Sequence, residues 1–115
     1  MERQRDADHG HGAAIAIKAV EGKWKVHIMG VVNTGSLRFG EIAEAVDGLS
    51  ERVLARQLRQ LERDGIVVRT VHPEVPPRVE YALTAAGLAL AEALGPLAEW
   101  GEELRLGLLR SGRDD

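Results

Sequence analysis

The chain has 115 residues, 44% of them hydrophobic, and no cysteine. That is enough to bury one modest core; it excludes disulfide and thiol chemistry, and no apolar run reaches the length of a membrane span. Fifteen Lys and Arg against eighteen Asp and Glu give a formal net charge of −3, which taken alone argues against a nucleic-acid partner.

Residues 1–12 mix charges with glycines, lack the apolar core of a signal sequence, and are expected to form a flexible tail. A cysteine-free chain of this kind fits the cytoplasm. One folded domain is expected over 13–110, with a second tail over 111–115. Ala13 to Val20 is predicted to be a short helix. Lys23 to Thr34 is a second, with Trp24, Ile28, Val31 and Val32 on one face. Leu37 is placed in a brief strand. Phe39 to Val46 is a third helix, with Phe39, Ile42, Ala43 and Val46 facing inward. Trp24 and Phe39 read as core residues. Lys23, Lys25 and Arg38 lie near helix starts and are candidate phosphate anchors, against the commoner reading as solvated charges. Asp47-Gly48 then turns the chain into the next helix, as a helix-turn-helix requires.

The stretch from Leu49 to Thr84 is the most informative. Ser50 is a suitable N-cap, and Leu49 and Leu54 occupy the positions of a hydrophobic staple. Leu54, Leu58 and Leu61 recur at helical spacing and define an apolar stripe. Arg52, Arg56, Arg59 and Arg63 follow spacings of four, three and four, and at roughly 100° per residue their mean direction lies almost opposite the leucines. A solvated face usually mixes signs to gain i,i+4 pairs. This face is all arginine, the residue suited to bidentate contact with phosphate or guanine. Gly65 suits the position just past a helix end. Ile66 to Val71 and Val79 to Leu83 read as two strands, the second alternating as a half-buried strand should. Between them, Pro73, Pro76 and Pro77 cannot donate ladder hydrogen bonds and stiffen a projecting tip. Arg69, His72 and Arg78 flank that tip within reach of backbone phosphates. The bland alternative is an ordinary hairpin whose prolines block edge aggregation.

Thr84 is placed as the cap of a C-terminal helix. Leu90, Leu94, Leu97, Leu104 and Leu108 recur at spacings of four, three, seven and four, with Trp100 beside the seam. Gly95-Pro96 is expected to kink or divide this helix. A repeat of this length exceeds what so small a core can cover and points to a partner helix, hence a homodimer. Ile15, with Ala14, Ile17 and Ala19, is a candidate to complete that interface. Charge is unevenly shared. Residues 50–83 carry six Arg and five acids, whereas 84–115 carry three Arg and six acids, so much of the acid excess lies away from the arginine-faced helix.

No Gly-rich phosphate loop, paired-carboxylate motif or nucleophile elbow is present, so an enzyme is not expected. His9 and His11 lie in the Gly-rich tail, while His27 and His72 lie on other elements. They lack further ligands at suitable spacing, and no metal or cofactor is assigned.

Four segments carry a family resemblance: Gly22-Lys23-Trp24, Arg38 to Ile42, Leu58 to Gly65, and above all the run from His72 to Thr84, HPEVPPRVEYALT. Over about Ala13 to Gly101 the chain resembles the HxlR-type winged helix-turn-helix transcriptional regulators. The resemblance implies a small dimeric bacterial regulator that binds a palindromic operator. There are departures. Many members of that family carry a cysteine shortly before the first helix and sense oxidants or electrophiles through it. His11 stands at the matching position here, so a thiol switch is excluded. The family's usual Gln-Arg pair in the recognition helix is reversed as Arg56-Gln57, which turns the guanidinium outward. His72 replaces a common tyrosine at the wing's start.

The expected fold is α+β, mainly α: a winged helix-turn-helix with a two- to three-stranded wing sheet and a C-terminal dimerisation helix. The leading function is sequence-specific binding of double-stranded DNA by a homodimer through a recognition helix (50–64) and wing (66–83). Ser50, Arg52, Arg56 and Gln57 are the candidates for base or near-base contacts. Arg59, Arg63, Lys23, Arg38, Arg69, His72 and Arg78 are candidates for the backbone. The candidate dimer residues are Ile15, Leu90, Leu94, Leu97, Trp100, Leu104 and Leu108. Two alternatives stay open: a winged-helix protein-interaction module without DNA binding, and a regulator with a pocket for a small-molecule effector between the C-terminal helices and the core.

Overall fold

The computed structural model describes residues 2–108, with side chains from Gly10 onward. The expected tail over 111–115, and the last two residues assigned to the domain, lie outside the described residues. The elements run α1 (Glu2–Val20), α2 (Lys25–Val32), β1 (Leu37–Arg38), α3 (Phe39–Ala45), α4 (Glu51–Arg63), β2 (Val67–His72), β3 (Arg78–Leu83) and α5 (Ala85–Arg105). This is the expected winged helix-turn-helix: five helices and one antiparallel sheet in the order β1-β3-β2.

The core forms where the apolar stripes of the middle helices meet. Ile28, Met29 and Val32 of α2, Ile42 of α3, Leu54, Leu58 and Leu61 of α4, and Ile66 and Val67 leading into β2 are all buried. Trp24 and Phe39 pack on its margin as partly buried side chains. The wing is a regular hairpin with Val67 opposite Leu83 and His72 opposite Arg78, so the three prolines fall in the connection. Leu37 and Arg38 pair with Tyr81 and Glu80. β1 therefore covers the outer edge of β3 and makes it the central strand.

Two expectations change. The first helix was expected to begin at Ala13, but α1 runs from Glu2, so residues 2–12 are helical. The Glu, Arg, Gln and Ala at its start are good helix formers and outweigh Gly10 and Gly12. The second concerns Gly95-Pro96. α5 is a single helix from Ala85 to Arg105 with Pro96 inside it, so it is not divided. Gly95 and Pro96 are exposed there, where the proline ring has room and water can reach the carbonyl it leaves unbonded.

Thr84 caps α5 as expected, its Oγ1 accepting from the Gly87 N–H at 3.0 Å. The same hydroxyl donates to the carbonyls of Gly65 and Ile66, at 2.6 and 3.2 Å, which ties the start of α5 to the turn between α4 and β2. Gly87 is buried at this junction; a Cβ there would stand 2.1 Å from the Ile66 carbonyl oxygen. The leucine seam of α5 splits in two. Leu90 and Leu94 pack on the domain's own core. Leu97 and Trp100 are 54% and 53% exposed, and Leu104, Leu106 and Leu108 are exposed too. On α1, Ile15 and Ile17 are likewise exposed. With these helices projecting, the radius of gyration is 17.3 Å, against about 13 Å for a compact domain of this length. Among the described residues no helix is long and apolar enough to cross a membrane.

Candidate nucleic-acid interface

The site is built on α4. Ser50 adopts an extended conformation, and its Oγ accepts a hydrogen bond from the Val53 N–H at 3.1 Å, which fixes where the helix starts. Leu49 and Leu54 are both buried, as a hydrophobic staple demands. The helix ends at Asp64, and Gly65 takes a φ of +77°, in the left-handed region a glycine enters without steric cost. Held by its leucines, α4 turns the opposite face outward. Arg52, Arg56, Arg59 and Arg63 are all exposed, and none forms an ion pair with a described residue. Glu51 and Glu62 do not neutralise them.

The other expected residues divide. Arg69 of β2 and Arg59 line a shallow recess with Glu62 and Tyr81, which links the helix face to the sheet. Arg38, also exposed, stands opposite Glu80 on β1, and its backbone N–H donates to Glu41 Oε1 at 2.7 Å as part of the start of α3. Lys23 stands apart from α4 in sequence, its Nζ 4.9 Å from the Trp24 ring, a cation–π distance. Gln57 is half-buried and lines a groove beside α1, which Arg63 at the end of the arginine face also lines. Lys25, a second anchor candidate, is buried.

At the wing the structure shows what the sequence reading missed. Arg78 is held by two carboxylates: its Nη2 donates to Glu74 Oε2 at 2.8 Å and its Nη1 to Glu80 Oε2 at 3.0 Å. His72 Nε2 lies 2.9 Å from Glu80 Oε1, which the Ser36 hydroxyl also approaches at 3.5 Å. The hydrogen bond from Arg78 holds the Glu74 carboxyl below its ordinary value and is itself reason for the Arg78 guanidinium to hold its proton more tightly. For Glu80, desolvation pushes the carboxyl up, but hydrogen bonds from His72 and Arg78 outweigh it and the net shift is downward. His72 and Arg78 are thus present at the wing but occupied within it. The signal was available: once His72 is registered opposite Arg78, Glu80 falls two residues along the same face of the sheet. Val75, at the tip, is fully exposed.

A short helix, a turn and a capped helix with an arginine face unpaired among the described residues, followed by a hairpin that completes a three-stranded sheet, define a winged helix-turn-helix DNA-binding protein. The family model for the HxlR-like helix-turn-helix matches residues 19–106, and the chain belongs to that family. It is 43% identical over 88 residues to an uncharacterized helix-turn-helix transcriptional regulator of Methanothermobacter thermautotrophicus, an overlap of 76% of this chain and 67% of that one. Among solved structures it is similar to a chain from Enterococcus faecalis assigned to the MarR family, with a TM-score of 0.79 and 42% identity, covering 88% of this chain and 92% of the other. It is also similar to the redox regulator HypR in its reduced form, with a TM-score of 0.75 and 38% identity, covering 82% and 93% of the two chains. The chain is accordingly a DNA-binding regulator of transcription and not an enzyme.

Proposed function

We propose that the protein works in the cytoplasm as a homodimer that recognises a palindromic operator, with α4 of each protomer in a major groove. The observation that carries this reading is the face of α4: four exposed, unpaired arginines directly opposite the buried leucines. Arg52 and Arg56, on the N-terminal half of the helix with Ser50, contact base edges. Gln57 supports them from the flank. Arg59, Arg63 and Arg69 position the phosphate backbone, with Arg38 and Lys23 as outlying anchors. His72 and Arg78 contribute mainly by holding the wing's shape.

The dimer is supported by the exposed half of the α5 seam. Leu97, Trp100, Leu104 and Leu108 leave an apolar ridge uncovered, and Ile15 and Ile17 extend the uncovered surface to α1. Leu90 and Leu94 take part only at the margin, since they already pack on their own core. Selection from random duplex DNA by the purified protein tests the reading. An enriched palindrome is expected, with half-sites about 34–36 Å apart along the helix. No enriched sequence would favour a protein-interaction module, and enriched single half-sites would remove the dimer.

A further inference from the structure

The connection between β2 and β3 is Pro73-Glu74-Val75-Pro76-Pro77, and Glu74 is its only charged residue. A carboxylate at the tip of a DNA-binding wing faces a surface of like charge, because DNA presents rows of phosphates. The Glu74 side chain is 51% exposed, and an exposed ion pair contributes little to stability. The hairpin has other supports: the ladder from Val67 opposite Leu83 to His72 opposite Arg78, and three stiffening prolines. Glu74 therefore needs a reason beyond folding.

Its placement on Arg78 supplies one. The guanidinium is held from two sides. Glu80, two residues along the same strand, accepts from Nη1 at 3.0 Å and also lies 2.9 Å from His72 Nε2, which fixes the direction in which Arg78 points. Glu74 covers the other edge. Its Oε2 accepts from both Nε, at 3.1 Å, and Nη2, at 2.8 Å. That edge is one of the forks with which an arginine grips a phosphate bidentately. Arg78 is thus oriented by Glu80 and capped by Glu74. The two carboxylates outnumber the guanidinium they hold, and Arg38 acts on Glu74 through its charge alone.

We propose that Glu74 is a specificity-determining residue: it caps the phosphate-gripping edge of Arg78 and so holds down binding of the wing to DNA of any sequence. Sequence-independent affinity comes almost entirely from phosphate contacts. A capped wing arginine lowers that part while the side chains of α4 keep their contacts. Discrimination grows when wrong sites bind more weakly, as well as when the right one binds more tightly. The inference rests on the reading of the wing as lying along DNA, but needs neither the dimer nor the palindrome.

The test is the affinity of the full chain for a random-sequence duplex, followed by fluorescence anisotropy across a salt series. Glu74→Ala should raise affinity at low salt by about threefold or more and steepen the slope of log affinity against log salt by about 0.9, the value of one added phosphate contact. Arg78→Ala should bind like the parent. In the double variant Glu74→Ala, Arg78→Ala the gain should vanish, because no arginine is left to release. Glu74→Gln keeps the shape of the side chain and removes its charge; it should act in the same direction, and it serves if the alanine variant fails to fold. Folded Glu74 variants that bind random DNA like the parent overturn the proposal. So does a gain that persists in the double variant, which would be simple relief of repulsion. If neither parent nor variants bind any duplex, the DNA-contacting reading of α4 falls and the proposal falls with it, an outcome distinct from the first because there the parent still binds.

Discussion

Recognition helix and wing carry the same kind of residue to different ends. On α4 the arginines are exposed and form no ion pair among the described residues, so their charge is available to a partner. On the wing, Arg78 and His72 are spent on Glu74 and Glu80, and the hairpin between β2 and β3 is close to self-neutralised. A count of basic residues would weigh the two regions alike. Their partners separate them, because a phosphate competing for Arg78 must first displace two carboxylates, whereas one approaching Arg59 displaces only water. The difference supports the proposal that the helix recognises and the wing keeps its shape, and it lets a protein with a formal net charge of −3 present a locally basic face.

The largest effect should come where both regions share a support. Gly87 lets α5 lie against the Ile66 carbonyl, and Thr84 bonds to the same turn. Gly87→Ala puts a Cβ at 2.1 Å from that oxygen, so α5 must move away from the root of both helix and wing. A loss of about 1–3 kcal/mol or more is expected, read as a fall in the thermal midpoint. A variant that melts with the parent would show that the helix does not approach so closely. Next comes Arg56→Ala, which removes the guanidinium proposed to contact base edges from a helix that otherwise stays intact. It should lower operator affinity by about 1–3 kcal/mol and relax preference at one position of each half-site. Equal loss on operator and random DNA would move Arg56 to the backbone contacts.

A smaller effect concerns the wing alone. Glu74 and Glu80 both have carboxyls lowered from an ordinary value of 4.5. A depressed folded value means that the network's stabilising contribution is complete above about 4.5 and is lost as the pH falls through the lowered values. Amide exchange at the hairpin tip should therefore increase, after allowing for intrinsic exchange rates, as the pH falls below about 4.5. Loosening that begins near neutral pH would contradict the carboxylate-centred network.

Much of this was legible in the sequence. The cap at Ser50, the leucine stripe, the arginine face, the turn at Gly65 and the hairpin are local features with short-range causes, and the structure has them where the residues place them. The brief strand at Leu37 was also readable. Less accessible were features set by three-dimensional neighbours. Leu90 and Leu94 look like the rest of the α5 seam in sequence, and only packing divides them from Leu97 and Trp100. The pairing of Arg78 depends on hairpin register. The burial of Lys25 depends on its three-dimensional neighbours, which no spacing along the chain reveals. The helical start of α1 was obscured by two glycines that the helix tolerates.

The contrast between helix and wing is tested most directly by the salt dependence of operator affinity for the parent, Arg59→Ala and Arg78→Ala. Each phosphate contact contributes about 0.9 to the slope of log affinity against log salt. Loss of Arg59, which is free, should reduce the slope by about that amount. Loss of Arg78, already neutralised within the wing, should leave it nearly unchanged. A full reduction with Arg78→Ala and none with Arg59→Ala would contradict the account.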